Sequence, residues 1–482
     1  MDRAVDNAGP TAAAAAGRTS YTKSDTPTSK ITQLITCFCL WKLLLVLIAA
    51  ASPGPGYDTS TQLLLHPKGS AAHSWLDHLA ITLTRWDGLY FASASANGQV
   101  FEQQWAFSPF LTRLTSTFAG VLFPTAHEPS IATHALAGIF FSHLSHLIAV
   151  ILLFQLTYKI IPLDQQKKGR IASTAACLHV LSPAGLFLSA PYGEAPFAMA
   201  HFAGLLCYVE AKRLVHTAPI VSALWTLASG FAIGGSTMIR SNGLFSGLLF
   251  AWDALAFVPH FGRMLRQREW VRLNGLLSTL AAGLFVGVGY ALPQVFAYLE
   301  YCTNGNDRPW CHSTFPSIYS FVQSHYWGVG FLKYWTLSNA PLFALTVPML
   351  VVLVCTGYAA LSKTGIDSLV EPPRSAKEDR AQGQSNGDGL FRFIMSRLAL
   401  PQLVLALLAL TSFHVQIINR ISSGYPVWYV VLAIIIQDDK ETMKVDSSAV
   451  RFIRGHAQSL VRLSVMYAMV QGGLYASFMP PA

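Results

Sequence analysis

ITQLITCFCLWKLLLVLIAAAS, residues 31–52, is apolar over the ~20 residues that a helix needs to cross a bilayer. No early small-residue cleavage site follows it, so it reads as a retained signal anchor rather than a removed leader. Runs of the same kind recur at roughly 131–157, 171–190, 195–209, 217–238, 243–259, 275–298, 339–361, 393–413, 425–437 and 459–478. Several are shorter than a perpendicular span and fit tilted or re-entrant helices. The reading is an all-α polytopic membrane protein with about 9–11 transmembrane helices.

Composition agrees with that class. Of the 482 residues 52% are hydrophobic and only 12% are charged, against roughly a quarter charged in a soluble domain. The chain is therefore expected to be one integral domain over 31–482, behind a disordered cytosolic tail at 1–30 whose Ala, Ser, Thr and Asp cannot build a core.

The net charge of +9 does not call for nucleic acid, because the basic residues cluster in the intervals between apolar runs. With the tail in the cytosol, Lys159, Lys167, Lys168 and Arg170 share one cytosolic loop. Lys212 and Arg213 fall in the next, and Arg263, Arg266, Arg268 and Arg272 in the one after, followed by 362–392 and 437–458. Basic clusters occupy every second loop, as the positive-inside bias requires. Residues 362–392, rich in Gly, Ser and charge, read as a flexible cytosolic linker.

The opposite side then carries 53–130 as a first large loop, the SAPYGEAP turn, the RSNG turn, 299–338 as a second large loop, and HVQIINRISSGYP at 414–426. All motif-like composition lies there. In RWDGLYFASASANGQVFEQQWAF, residues 85–107, Asp87 beside Trp86 sits in a stretch suited to an interfacial helix. A carboxylate so placed can take a proton from a sugar hydroxyl, or it can be a solvated interfacial Asp. Glu102 and Gln103 beside aromatic residues resemble a sugar-gripping platform, though an ordinary interfacial loop has the same composition.

Glu194 interrupts an apolar stretch between prolines, where an ionisable group is costly; it is a functional candidate or a turn residue just outside the bilayer. Arg240, Arg308 and Arg420 lie on the non-cytosolic side against the topological bias, and an anionic ligand such as a lipid phosphate would account for them. For any one of them the alternative is a local pair with Asp307 or Glu300. Cys302 and Cys311 bracket a short polar turn that an oxidising lumen would favour bridging. No metal cluster, P-loop, dinucleotide fingerprint or nucleophile elbow is present in the sequence.

RWDGLYF, FEQQWAFSPF, SPAGLFLSAPYGEAPFA, IRSNG, RPWC and NRISSGYPVWY, in that order across about 35–478, resemble the GPI mannosyltransferase II family, PIG-V. Ser108, Phe110 and Gly193 are small departures from its pattern. The resemblance implies a GT-C type, inverting hexosyltransferase of the endoplasmic reticulum membrane with a luminal active site. It implies transfer of the second mannose, through an α-1,6 linkage, from dolichyl-phosphate mannose to a mannosylated GPI lipid precursor, with no cofactor and no metal.

On that reading Asp87 is the catalytic base, while Trp86, Glu102, Gln103, Glu194, Arg240, Asn242, Arg308 and Arg420 contact substrate. Whether an accessory membrane subunit is needed stays open. The other class compatible with kinked spans is a lipid or solute transporter.

Overall fold

The computed structural model describes residues 27–52, 56–65, 74–124, 130–303, 308–362, 386–437 and 448–479. Most of the expected tail and of the linker at 362–392 lies outside these residues, and residues 27–30 already belong to the first helix. The described chain is helical, with no strand.

The helices are α1 (Pro27–Ala51), α2 (Ser60–Leu65), α3 (Trp75–Leu83), α4 (Asp87–Asn97), α5 (Pro109–Leu122), α6 (Ile131–Ile160), α7 (Gln165–Val180), α8 (Glu194–Leu214) and α9 (Pro219–Ile239). There follow α10 (Gly247–Phe257), α11 (Phe261–Arg266), α12 (Trp270–Cys302), α13 (Ile318–His325), α14 (Ala340–Ser362), α15 (Asn386–Thr411), α16 (Ile418–Ile421), α17 (Val427–Ile436) and α18 (Ser448–Ala476). Among the described residues seven helices are long and apolar enough to cross a membrane. The remaining expected spans correspond to α7, α8, α17 and α18, which are shorter or carry more polar residues.

α6, α8, α9 and α12 pack in succession, and α17, buried along nearly its whole length, sits against α7, α14, α15 and α18. Where α9 meets α12 the contact runs through glycine: a Cβ on Gly289 would lie 2.3 Å from the Gly234 carbonyl oxygen, and one on Gly230 would lie 2.3 Å from Ala282 Cα. Small residues let the backbones touch, which is how helices gain packing where lipid supplies no hydrophobic drive. That contact fixes the end of α9, and hence Arg240. Gly289→Leu should destabilise by about 1–3 kcal/mol, as overpacking does, read as a lower thermal midpoint in detergent; an unchanged midpoint would show that the contact is not tight.

The ion pairs fall into two groups that do not mix among the described residues. Lys159 with Glu210, Arg213 with Glu210, Arg272 with Glu269, and Lys212 and Arg397 with Asp253 lie at or beside the basic loops. Arg240, Arg308 and Arg420 pair with Glu194, Glu102 and Asp87 from the opposite set. The alternation of loop charge and the folding of the chain thus divide it the same way.

Candidate active site

The expected interfacial helix around Asp87 is broken: α3 stops at Leu83 and α4 starts at Asp87. Gly88 N donates to Arg85 O at 2.9 Å, closing a turn whose second residue, Trp86, has φ 52° and ψ −124°. These are the dihedrals of the first central residue of a type II′ turn, where glycine is usual. Asp87 emerges from it at the first position of a helix, where the dipole favours a carboxylate.

Glu194 likewise begins α8, after the turn containing Pro191, and is 1% exposed. Arg240 follows the last residue of α9 with extended backbone, and Arg420 lies in the one-turn α16. Four separate elements therefore deliver two carboxylates and two guanidiniums to one place. Arg420 Nη2 bonds Asp87 Oδ2 at 3.0 Å, and its Nε lies 3.3 Å from Glu194 Oε1. Arg240 Nη1 bonds the same Glu194 oxygen at 2.8 Å.

Burial works against the charge of Arg420, but Glu194 and then Asp87 more than offset it, so its pKa stands above the ordinary value. The guanidinium also lies over the Phe187 and Tyr192 rings, at 5.1 and 5.5 Å. It is a fixed cation with aromatic backing. Bonding capacity remains unused: among the described residues Glu194 Oε2 and Arg240 Nε are buried without a hydrogen-bond partner. Such groups at a polar cluster are where a substrate can bind.

A cavity of about 300 Å³ opens on this cluster, lined by Asp87, Arg240, Asn242 and Arg420 together with Trp105, Tyr290, Tyr319 and Trp327. Asn242 is anchored by Tyr425, accepting and donating through one hydroxyl, so its amide is oriented by the protein. A second cavity of about 290 Å³ is almost wholly apolar and lies between α7, α14, α17 and α18. Asn419 lines this groove and Arg420 the polar one, so α16 is the wall between them. Leu463, Met466 and Val470 on the groove's rim are exposed.

Not every expected residue reaches the cavity. Glu102 accepts from Trp310 Nε1 and Tyr326 hydroxyl, both at 3.2 Å, and pairs with Arg308 at 3.5 Å. These bonds tie the two large loops together. Gln103 accepts from the Tyr90 hydroxyl at 3.2 Å, and burial, then the Asp87 charge, raises that phenol's pKa and keeps it a donor. Trp86 turns to the end of α18. Trp105, Ala106 and Phe107, which follow Glu102 in that stretch, line the cavity, and Glu102 does not. Cys302 and Cys311 are joined as a disulfide, closing the turn beneath Arg308.

The arginine pairs are also not local: none is with Glu300, and Asp307 lies outside the described residues. One residue not singled out from the sequence supports the site. Lys42, inside α1, donates to Leu188 O at 2.9 Å and Ser189 Oγ at 2.7 Å, holding the segment that leads to Glu194. A lysine within an apolar span was the signal that could have found it. Among the described residues no three His, Cys, Asp or Glu gather as a metal ligand set.

A family model described as mannosyltransferase (PIG-V) matches residues 31–482. The chain belongs to that family. GPI mannosyltransferase 2 of Gibberella zeae is 41% identical over 458 residues, covering 94% of this chain and 98% of that protein. GPI mannosyltransferase 2 of Chaetomium globosum is 38% identical over 499 residues, covering 96% and 99%.

The relatives' names give no support to a transporter. Among solved structures, the Archaeoglobus fulgidus oligosaccharyltransferase tethered to an acceptor peptide gives a TM-score of 0.43 at 14% identity. That likeness covers 92% of this chain, which spans 56% of that longer protein.

Proposed function

We propose that the chain is an α-1,6-mannosyltransferase that moves mannose from dolichyl-phosphate mannose to a GPI precursor already carrying one mannose, at the luminal face of the endoplasmic reticulum membrane. The observation that carries this reading is the cavity in which a carboxylate, Asp87, stands beside two arginines from other elements.

In the reaction the acceptor mannose loses its 6-hydroxyl proton to Asp87, whose Oδ1 has no partner among the described residues while Arg420 holds Oδ2. The freed oxygen attacks C1 of the donor mannose from the face opposite the phosphate. The C1–O bond to phosphate breaks, its electron pair leaves with dolichyl phosphate, and the β-linked donor becomes an α-linked product. Arg420 and Arg240 face the phosphate as negative charge grows on the leaving oxygen, the electrostatic contribution that dominates many transfer reactions. Trp105 and Trp327 offer aromatic faces to the sugar rings.

The apolar groove behind α16 gives the polyprenyl chain a place in the bilayer beside the head group's arginine. A lipid donor and a lipid acceptor then reach one cavity without leaving the membrane. No step asks for a cofactor.

The test is direct. Detergent-purified protein, with any subunit that co-purifies, is expected to turn labelled dolichyl-phosphate mannose and one-mannose GPI into a two-mannose product sensitive to an α-1,6-mannosidase. Transfer from a nucleotide sugar with no dependence on the lipid donor would contradict the assignment.

A further inference from the structure

The residue before the base is held in a conformation it disfavours, and the contacts that hold it come from the far end of the chain. Trp86, with φ 52°, occupies a turn position suited to glycine; a bulky side chain there is strained and persists only where its surroundings over-determine it. Those surroundings are the last turn of α18 and the residues after it. Trp86 Nε1 donates to Met479 O at 3.1 Å, and its ring packs on Phe478 with centroids 5.2 Å apart. The fully buried Arg85 donates from Nε to Ala476 O at 3.2 Å, its guanidinium over the Phe478 ring at 5.1 Å.

Tyr475 completes the grip. Its hydroxyl accepts from Arg85 N at 3.1 Å and lies 3.1 Å from both Leu83 O and Arg85 O. A phenol has one proton to give. Arg85 O already accepts from Gly88 N and from the Tyr192 hydroxyl, so Leu83 O is the better recipient. The same turn also holds the start of the first large loop, since Tyr57 N donates to Ser477 O at 2.9 Å.

We infer that the turn at 475–479 is a positioning element for the reaction: by clamping Arg85 and Trp86 it sets the II′ turn that aims Asp87 at Arg420 and the cavity. Tyr475 and Phe478 are positioning residues, neither of which lines the cavity. The inference rests on Asp87 being the base. Its physical content is that the clamp offsets the strain at Trp86, so removing the clamp lets the turn relax and swings the carboxylate away.

Phe478→Ala is therefore expected to lower kcat about tenfold or more, because small misplacements of a reacting group are costly, while donor KM stays within about twofold, since the phosphate-facing arginines are untouched. Adding Trp86→Gly should recover part of the lost kcat, because glycine takes the turn conformation without strain. A merely structural contact predicts no such rescue. Should Phe478→Ala fail to accumulate as folded protein, Tyr475→Phe, which removes only the hydroxyl, is read the same way against Tyr475→Phe with Trp86→Gly.

Wild-type kcat in the clamp variants, or a loss that Trp86→Gly does not ease, overturns the inference. Asp87→Asn measured alongside separates the two ideas. Full activity there refutes the base assignment, whereas an inactive Asp87→Asn with a fully active Phe478→Ala refutes the clamp alone.

Discussion

Arg420→Ala is expected to lower kcat/KM by about 10²–10³-fold, the size seen when one donor to developing negative charge is removed. Among the described residues Arg420 is the one that pairs with both carboxylates, at 3.0 Å from Asp87 and 3.3 Å from Glu194. Its loss leaves the buried Glu194 with Arg240 as its remaining ion-pair partner among the described residues and leaves Asp87 undirected. Breaking a buried pair by removing one member costs about 3–5 kcal/mol in general; the Arg240 bond places the cost here toward the lower bound.

The variant should therefore be both slower and less thermostable. Arg420→Lys separates the two effects: it restores a charge but not the planar fork that reaches two acids at once. Stability should recover more than activity. Steady-state kinetics and thermal unfolding in the same detergent check this, and equal recovery of both would show that Arg420 acts only as a structural counter-ion.

Three of the four charged residues at the site stand out in the sequence for a reason that belongs to the bilayer, while Asp87 is singled out as the base only by the family resemblance. Glu194 in an apolar stretch and Arg240 and Arg420 on the side that disfavours cations each run against a known cost, so each calls for a function. What the sequence could not give is the pairing. Arg420 and Asp87 are 333 positions apart, and nothing local to either says which arginine answers which acid.

Glu102 and Arg308 show the converse. A carboxylate among amides and aromatic rings has the same composition whether it grips a sugar or ties two loops together, and the loop-tying bonds from Trp310 and Tyr326 are visible only in the structure. Tyr475 and Phe478 carried no signal, because aromatic residues at the end of the last helix are what any membrane interface contains. The positive φ of Trp86 was equally hidden, because backbone strain has no signature in composition.

The span count was softest where it mattered least to the site. α17 has 10 residues, too few to cross a bilayer, yet it is buried on nearly all sides, so protein rather than lipid surrounds it. Composition alone does not separate such a core helix from a short span. The expected sides of the loops do not depend on this ambiguity, because they rest on basic residues and not on helix lengths.

General base catalysis contributes about 10²–10⁴-fold in enzymes that use it, and Asp87 is the carboxylate this account assigns to it. Asparagine keeps the shape of the side chain and can still meet Arg420 through its carbonyl oxygen, but it cannot take up a proton. The most direct measurement is single-turnover transfer of labelled mannose by purified Asp87→Asn, with donor affinity measured separately. A fall in rate of about 10² or more with donor binding and thermal midpoint near wild type is the predicted result. Transfer at the wild-type rate would contradict the account at its centre.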